Sequence, residues 1–358
     1  MGLKERLKEV AFELGLGPVG ITTASPMVEV KEYLSAQEAA DNGTPFVSAD
    51  VNRRTDPRQV WPETRSVFLA GLPYAVPSPR EVAAQTGYLA AGSYGPDYHR
   101  VLREKLQRLA SIVQQEVPGS SYRIFVDTSS LMERPLAWRA GLGVWGQNTQ
   151  LLPAGGGEAF FLGGLLLDID LEPDEPQSGL CLGCGRCRAS CPTGALSEPF
   201  RLEAKRCLSY LTQAKGAIPQ ELRVYFTGCL YGCDICLKAC PLIKKAPGTG
   251  AELDLKRLLC LSKQEFISLY GATAIGWRGR TVLQRNAVYT LGNQGDPAAV
   301  TALVELLQDP RPVIRGAAAW SLVRLGDTNG RAALALAARV SQETDPEVLA
   351  ELESALSG

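Results

Sequence analysis

Nine of the chain's ten cysteines fall between Leu180 and Pro241, in a pattern that leaves few folds open. The first run reads C-L-G-C-G-R-C-R-A-S-C-P, with Cys181, Cys184, Cys187 and Cys191 ahead of Pro192; the second reads C-D-I-C-L-K-A-C-P, with Cys233, Cys236 and Cys240 ahead of Pro241. Thiolates at i, i+3 and i+6 on a glycine-rich loop converge on one face of an iron–sulfur cube. The thiolate at i+10 begins the next turn of chain and points toward a second cube. Two 4Fe-4S clusters are the expectation.

Other uses of cysteine fit less well. A disulfide framework belongs to an oxidising compartment and a short chain, whereas the N-terminus (M-G-L-K-E-R-L-K) has no secretory apolar core and the chain runs to 358 residues. Structural zinc uses isolated C-x-x-C pairs and has no need of the extended run. Reduced thiols predict a cytoplasmic, oxygen-sensitive protein. With 45% hydrophobic residues, the chain can form two or three domains with cores. The longest apolar run, 160–167, is too short to cross a bilayer, so no membrane segment is expected.

The net charge of −1 conceals an asymmetry: residues 178–285 hold sixteen Lys or Arg against seven Asp or Glu, a local charge of +9. Such an excess offsets thiolate-bound clusters or forms a polyanion-binding face.

Upstream, Leu3, Leu7, Val10, Ala11 and Leu14 recur at helical spacing, predicting a helix over 3–15. The following G-L-G-P-V-G matches the dinucleotide fingerprint as a string, but it follows a helix and leads into a strand, the reverse of the order a pyrophosphate site needs; it reads as a helix cap and turn. Strands are predicted over 66–73, 122–126 and 160–170, and a long helix over 97–117. That helix opens with Asp97-Tyr98-His99. The string matches the D-x-H of base-off cobalamin modules, but Leu102 stands where D-x-H-x-x-G has glycine, and the competing reading makes Asp97 an N-cap and His99 a surface or packing residue. Asp127, where the 122–126 strand meets a helix, is either a cap or a catalytic group. Cys260 sits in an apolar stretch and reads as core. Residues 282–296 superimpose on 313–327 at an offset of 31, with Tyr289 over Trp320, and a shortened third copy starts near Pro346. Helix pairs at this period are alpha-solenoid units of the HEAT type.

Taken together, F-V-D-T-S-S-L-M-E-R-P-L-A-W-R-A-G-L-G, the E-P-D-x-P linker, the cysteine runs, R-C-L-S-Y-L-T, Y-G-C-D-I-C and R-N-A-V-Y-T-L-G-N-Q-G-D-P-A-A-V resemble the epoxyqueuosine reductases, cobalamin-dependent enzymes of queuosine-tRNA synthesis. The likeness covers nearly the whole chain in order. It implies an α/β (α+β) multidomain chain: a nitroreductase-like cobalamin-binding domain over 1–173, a ferredoxin-like two-cluster module over 174–250, and a HEAT-like tRNA-binding tail over 251–358. By carry-over, Cys181, Cys184, Cys187 and Cys240 hold one cluster, and Cys191, Cys207, Cys233 and Cys236 the other, with Cys229 as the rival of Cys207. Asp127 matches the family's proton donor, and a wall of Trp138, Trp145 and corrin would raise its pKa toward neutrality. Tyr98, His99, Asp127, Arg134, Gly141, Gly143 and Gln147 are the candidate cobalamin contacts. Lys256, Arg257, Lys263, Arg278, Arg280 and Arg285 are the candidate tRNA contacts.

The implied partners are a tRNA anticodon loop and an external low-potential electron donor, acting on a monomer. Two departures stand out: Gly146-Gln147-Asn148-Thr149 where many relatives have G-K-H-[ST], and Leu242 where many have Trp. The rival functions are a small-molecule reductase of the dehalogenase kind and an iron–sulfur electron carrier without chemistry of its own.

Overall fold

In a computed structural model describing residues 2–79, 81–93, 95–247, 252–326 and 331–357, four largely apolar strands build the first sheet. These are β1 (Val19–Thr23), β2 (Ser66–Tyr74), β3 (Tyr122–Val126) and β4 (Ala159–Leu167), in the order β1-β2-β4-β3 with every neighbouring pair antiparallel. Phe68 and Ala70 of β2 face helices α1 (Leu3–Glu13) and α2 (Tyr98–Glu116), packing with Leu7, Leu102, Leu106 and Leu109. Val67 and Leu69 face the other way and pack with Met27, Trp61 and Leu136 of helix α3 (Glu133–Arg139). Because both faces are covered, the strands read as continuous apolar runs rather than as alternating ones.

The linker after β4 is pinned to α1 and β1: Asp174 accepts from the Ile21 backbone N–H at 2.8 Å and from Lys8 Nζ at 2.6 Å.

The chain divides into two units, each built from separate segments: Met1–Ser78, Pro96–Lys205 and Ile235–Thr249 in one; Pro79–Gly95, Arg206–Asp234 and Gly250–Gly358 in the other. The expected boundary at 173/174 falls inside a segment of the first unit, and the one at 250/251 falls among residues 248–251, which lie outside the described residues. Part of the cysteine region packs into the first unit rather than forming a core apart. Leu237, Cys240 and Ile243 bury themselves with Val76, Val144, Leu152 and Ala159 of the first unit.

In the second unit a three-stranded sheet orders Glu252–Asp254, Thr86–Leu89 and Cys229–Tyr231. Helix α4 (Leu255–Cys260) turns Leu255 and Leu258 inward. Cys260 falls off that face and is exposed, which corrects its reading as core. The predicted repeats are α5 (Arg280–Gln294), α6 (Val300–Leu306), α7 (Pro312–Leu325), α8 (Arg331–Val340) and α9 (Pro346–Ser357). Tyr289 and Trp320, equivalent positions of successive repeats, meet edge to face at 5.5 Å. Asp327, the end of the second copy, lies outside the described residues. Among the described residues no helix is long and apolar enough to cross a membrane.

Candidate functional site

Asp127 directly follows β3, and its backbone is left-handed, with φ of 48°. Asp tolerates that region better than most residues but still adopts it seldom. Its side chain caps no helix: α3 begins six residues later with Met132 at the N-cap and no side-chain cap. The carboxylate instead accepts from Tyr98 Oη at 2.5 Å and meets His99 Nε2 at 3.3 Å, both residues lying in the first turn of α2. Tyr98 is held by stacking on Phe161 of β4, with ring centroids 3.8 Å apart and planes 5° from parallel. Asp97 is the N-cap of α2, accepting from the His99 backbone N–H, and its carboxylate also meets His99 Nδ1 at 2.7 Å.

The electrostatics correct the expected pKa. The hydrogen bond with His99, opposed by burial and helped by the Tyr98 hydroxyl, holds the Asp127 carboxyl below the usual carboxylate range. The same bond raises His99 above the usual histidine value. Polar neighbours take the place of the expected apolar wall: Trp138 packs in the core with Leu136, and the Asp127 side chain is 57% exposed. The carboxyl that is raised is Glu133, pushed to about 8 by burial and by the charge of Asp127. Its Oε1 accepts from the Asp127 backbone N–H at 2.5 Å, so it braces the left-handed residue. In the sequence Glu133 is an ordinary acidic residue in a helix first turn; only tertiary packing singles it out.

Of the other candidate cobalamin contacts, Arg134 lies close enough to lower the pKa of both Asp127 and Glu133. Both ring nitrogens of His99 meet carboxylates, Nδ1 that of Asp97 and Nε2 that of Asp127. Gly141 and Gly143 are explained by packing: Gly141 has φ of 78°, and a Cβ on Gly143 would stand 2.3 Å from the Leu152 carbonyl oxygen. Gln147 belongs to the cysteine loops, its backbone N–H donating to Cys181 Sγ at 3.4 Å. Of the seven candidates, Tyr98, His99 and Arg134 are therefore the ones that gather around the Asp127 carboxylate.

Cys181, Cys184, Cys187 and Cys240 line one cavity with Gln147, Asn148 and Leu242. Burial pushes the Cys187 thiol up, and Cys240 and Cys181 beside it push it further. Thiols that raise one another in this way fit a cationic cluster, which would relieve the repulsion. Among the described residues no three His, Cys, Asp or Glu side chains gather tightly enough for a single metal ion.

For the second set, Cys191 and Cys236 belong to the first unit and Cys207 and Cys233 to the second. The rival Cys229 is 1% exposed in its strand, with Sγ donating to the Gly232 carbonyl at 2.7 Å. Cys207 is half-buried at the N-cap of the short helix Leu208–Leu211.

The basic candidates divide. Arg257 and Lys263 are exposed and Lys256 partly so. Arg278 donates to the Gln213 carbonyl at 2.6 Å and lies 4.4 Å over the Trp277 ring; Arg280 donates to the Leu261 carbonyl at 2.7 Å. Arg285 is withdrawn as a phosphate contact. It is 1% exposed, and its guanidinium donates to the carbonyls of Leu211, Ala214 and Gly216, with burial bringing its pKa down to about 10.

Comparison with known proteins follows the same segments. Family models match for epoxyqueuosine reductase QueG (DUF1730) at residues 54–128, for a 4Fe-4S double cluster binding domain at 180–242, and for HEAT repeats at 279–357. An epoxyqueuosine reductase of Listeria monocytogenes is 38% identical over 98% of this chain and 96% of its own length. A crystal structure of epoxyqueuosine reductase with an epoxyqueuosine-modified tRNA-Tyr stem loop superposes with a TM-score of 0.92 at 35% identity, covering 99% of this chain and 98% of that one. The Bacillus subtilis enzyme, solved with its catalytic aspartate loop swung out of the active site, gives 0.92 at 34% identity over the same shares.

Proposed function

The chain belongs to the epoxyqueuosine reductase family, and on that premise we propose that it reduces epoxyqueuosine to queuosine at the wobble position of tRNA, with Asp127 delivering the proton. Loss of the epoxide oxygen to leave an alkene consumes two electrons and two protons and releases water. Cobalamin, when bound, would supply the low-valent cobalt that passes the electron pair to an epoxide carbon. The chain's own residues handle the proton and the position. The observation that carries the reading is the carboxylate of Asp127, held in a left-handed backbone between Tyr98 Oη and His99 Nε2.

With Asp127 held low and His99 raised, the pair shares the titration: the proton rests on the imidazole side and reaches the leaving oxygen through the carboxyl. Tyr98 and Glu133 fix the carboxylate and its backbone, so that reloading from His99 does not require the loop to move. Electrons arrive singly through two 4Fe-4S clusters from an external low-potential donor, with Cys191, Cys207, Cys233 and Cys236 as the second ligand set. A reduced cytoplasm and a monomeric chain complete the proposal.

The test is anaerobic turnover of epoxyqueuosine tRNA by reconstituted protein. Asp127→Asn is expected to lose about 100-fold or more in kcat while keeping its iron and corrin spectra. Turnover at the parent rate would refute the role of Asp127, and turnover of halogenated small molecules but not of tRNA would favour the dehalogenase-like alternative. Iron counting checks the ligand set: Cys207→Ala is expected to lose one cluster and Cys229→Ala none, and the opposite pattern would exchange their roles.

A further inference from the structure

The cavity lined by Cys181, Cys184, Cys187 and Cys240 is bordered by polar atoms that the fold leaves unpaired. Gln147 Oε1, Asn148 Nδ2 and Thr149 Oγ1 are buried, with no hydrogen-bond partner among the described residues. Asn148 is 2% exposed, and both it and Gln147 line that cavity.

The segment is held firmly. Cys181 N donates to the Trp145 carbonyl at 3.1 Å, and Gln147 N donates to Cys181 Sγ at 3.4 Å. Asn148 Oδ1 is occupied, accepting from Gln150 N at 3.2 Å, so Nδ2 is the open end of the amide. An unpaired buried donor is costly, and proteins keep few of them without a reason. A cluster held by the four cysteines lining this cavity would bring sulfur acceptors to the same walls.

We infer that Asn148 Nδ2 donates a hydrogen bond to a sulfur of the cluster held by these four cysteines and, with the Gln147 backbone N–H, raises that cluster's reduction potential. The inference rests on the cluster assignment proposed above. Uptake of one electron makes the cluster more negative without breaking a bond, so an N–H dipole aimed at sulfur stabilises the reduced form more than the oxidised one. Asn148 is thereby a positioning and tuning residue, remote from the proton chemistry of Asp127.

The experiment is a potentiometric titration, followed by electron paramagnetic resonance, of the full chain reconstituted anaerobically and counted for iron and sulfide. In Asn148→Leu at full iron content, the midpoint of one cluster is expected to fall by a tenfold change in its reduction equilibrium, about 59 mV for one electron. The other cluster should not move, and the affected signal should be the one absent from Cys181→Ala. A second measurement uses the wild-type chain and so does not depend on the variant folding: with asparagine labelled with 15N in its side-chain amide, pulsed resonance on the reduced cluster should reveal coupling to that nitrogen. An unmoved midpoint at full iron, or no asparagine coupling in the wild type, overturns the inference. A wild-type chain that takes up fewer than two clusters overturns the assignment beneath it, and the iron count reads that separately.

Discussion

At Asp127 and Glu133, two carboxyl groups joined through one backbone N–H are driven in opposite directions. Asp127 gains partners and is held low; Glu133 loses water and rises to about 8. The stability linked to Glu133 is fully present below its ordinary 4.5 and is lost as pH climbs through about 8, because over that window the folded state holds a proton that the unfolded state has released. Glu133→Gln keeps an oxygen for the Asp127 N–H and removes this dependence. Its melting temperature is expected to decline less from pH 5 to 8 than that of the parent, the remaining decline belonging to His99, whose pKa is also raised, as thermal unfolding across pH would measure; parallel curves would place the shifted proton elsewhere. Asp127 was legible in the sequence as a strand-end acid within a family motif, whereas its pKa was not. The decisive neighbours, His99 and Glu133, are brought to it by α2 and α3, and the partner choice of His99 is invisible to spacing.

At the level of elements, the repeat helices were readable from period and offset, but what the R-N-A-V-Y segment does was not. Arg285 looked like surface charge within a basic tract, yet every direction its planar fork can donate in meets a carbonyl or Asn286 Oδ1. Asn286 adds bonds to the carbonyls of Thr212 and Leu230. Helix α5 thus holds both the segment after Cys207 and the strand ending at Tyr231. Arg285→Met leaves several buried carbonyls unpaired and is expected to destabilise the second unit by about 3 kcal/mol or more, read by denaturant unfolding. Arg285→Lys should recover little, because an ammonium lacks the fork. A loss confined to tRNA affinity, with stability unchanged, would return Arg285 to the binding surface.

For the molecule as a whole, sequence order and spatial partition differ: the cysteine region divides between two units, each built from separate segments of chain. What charge counting could not show is which cations remain available: Arg257 and Lys263 are exposed, while Arg278 and Arg280 are each tied to a carbonyl. Affinity for the tRNA stem loop is expected to fall steeply with salt, and Arg257→Glu with Lys263→Glu should lessen the logarithmic salt slope by about 1 per lost contact while leaving the cofactor spectra intact. A slope unchanged in the double variant would assign these residues to a solvated face.

The grip of Arg285 and Asn286 on the segment after Cys207 also has a bearing on biosynthesis. The carbonyls of 211–216 leave the ribosome long before residues 285 and 286, and at about 5–20 residues per second the wait is roughly 4–15 s. Cys181, Cys184 and Cys187 of the first proposed set precede that interval and Cys240 falls within it, so the set is complete before residue 285 is made. A nascent chain thus holds every cysteine of that set while the segment after Cys207 still lacks the partners that shape it, which come from a helix with no cysteine in it.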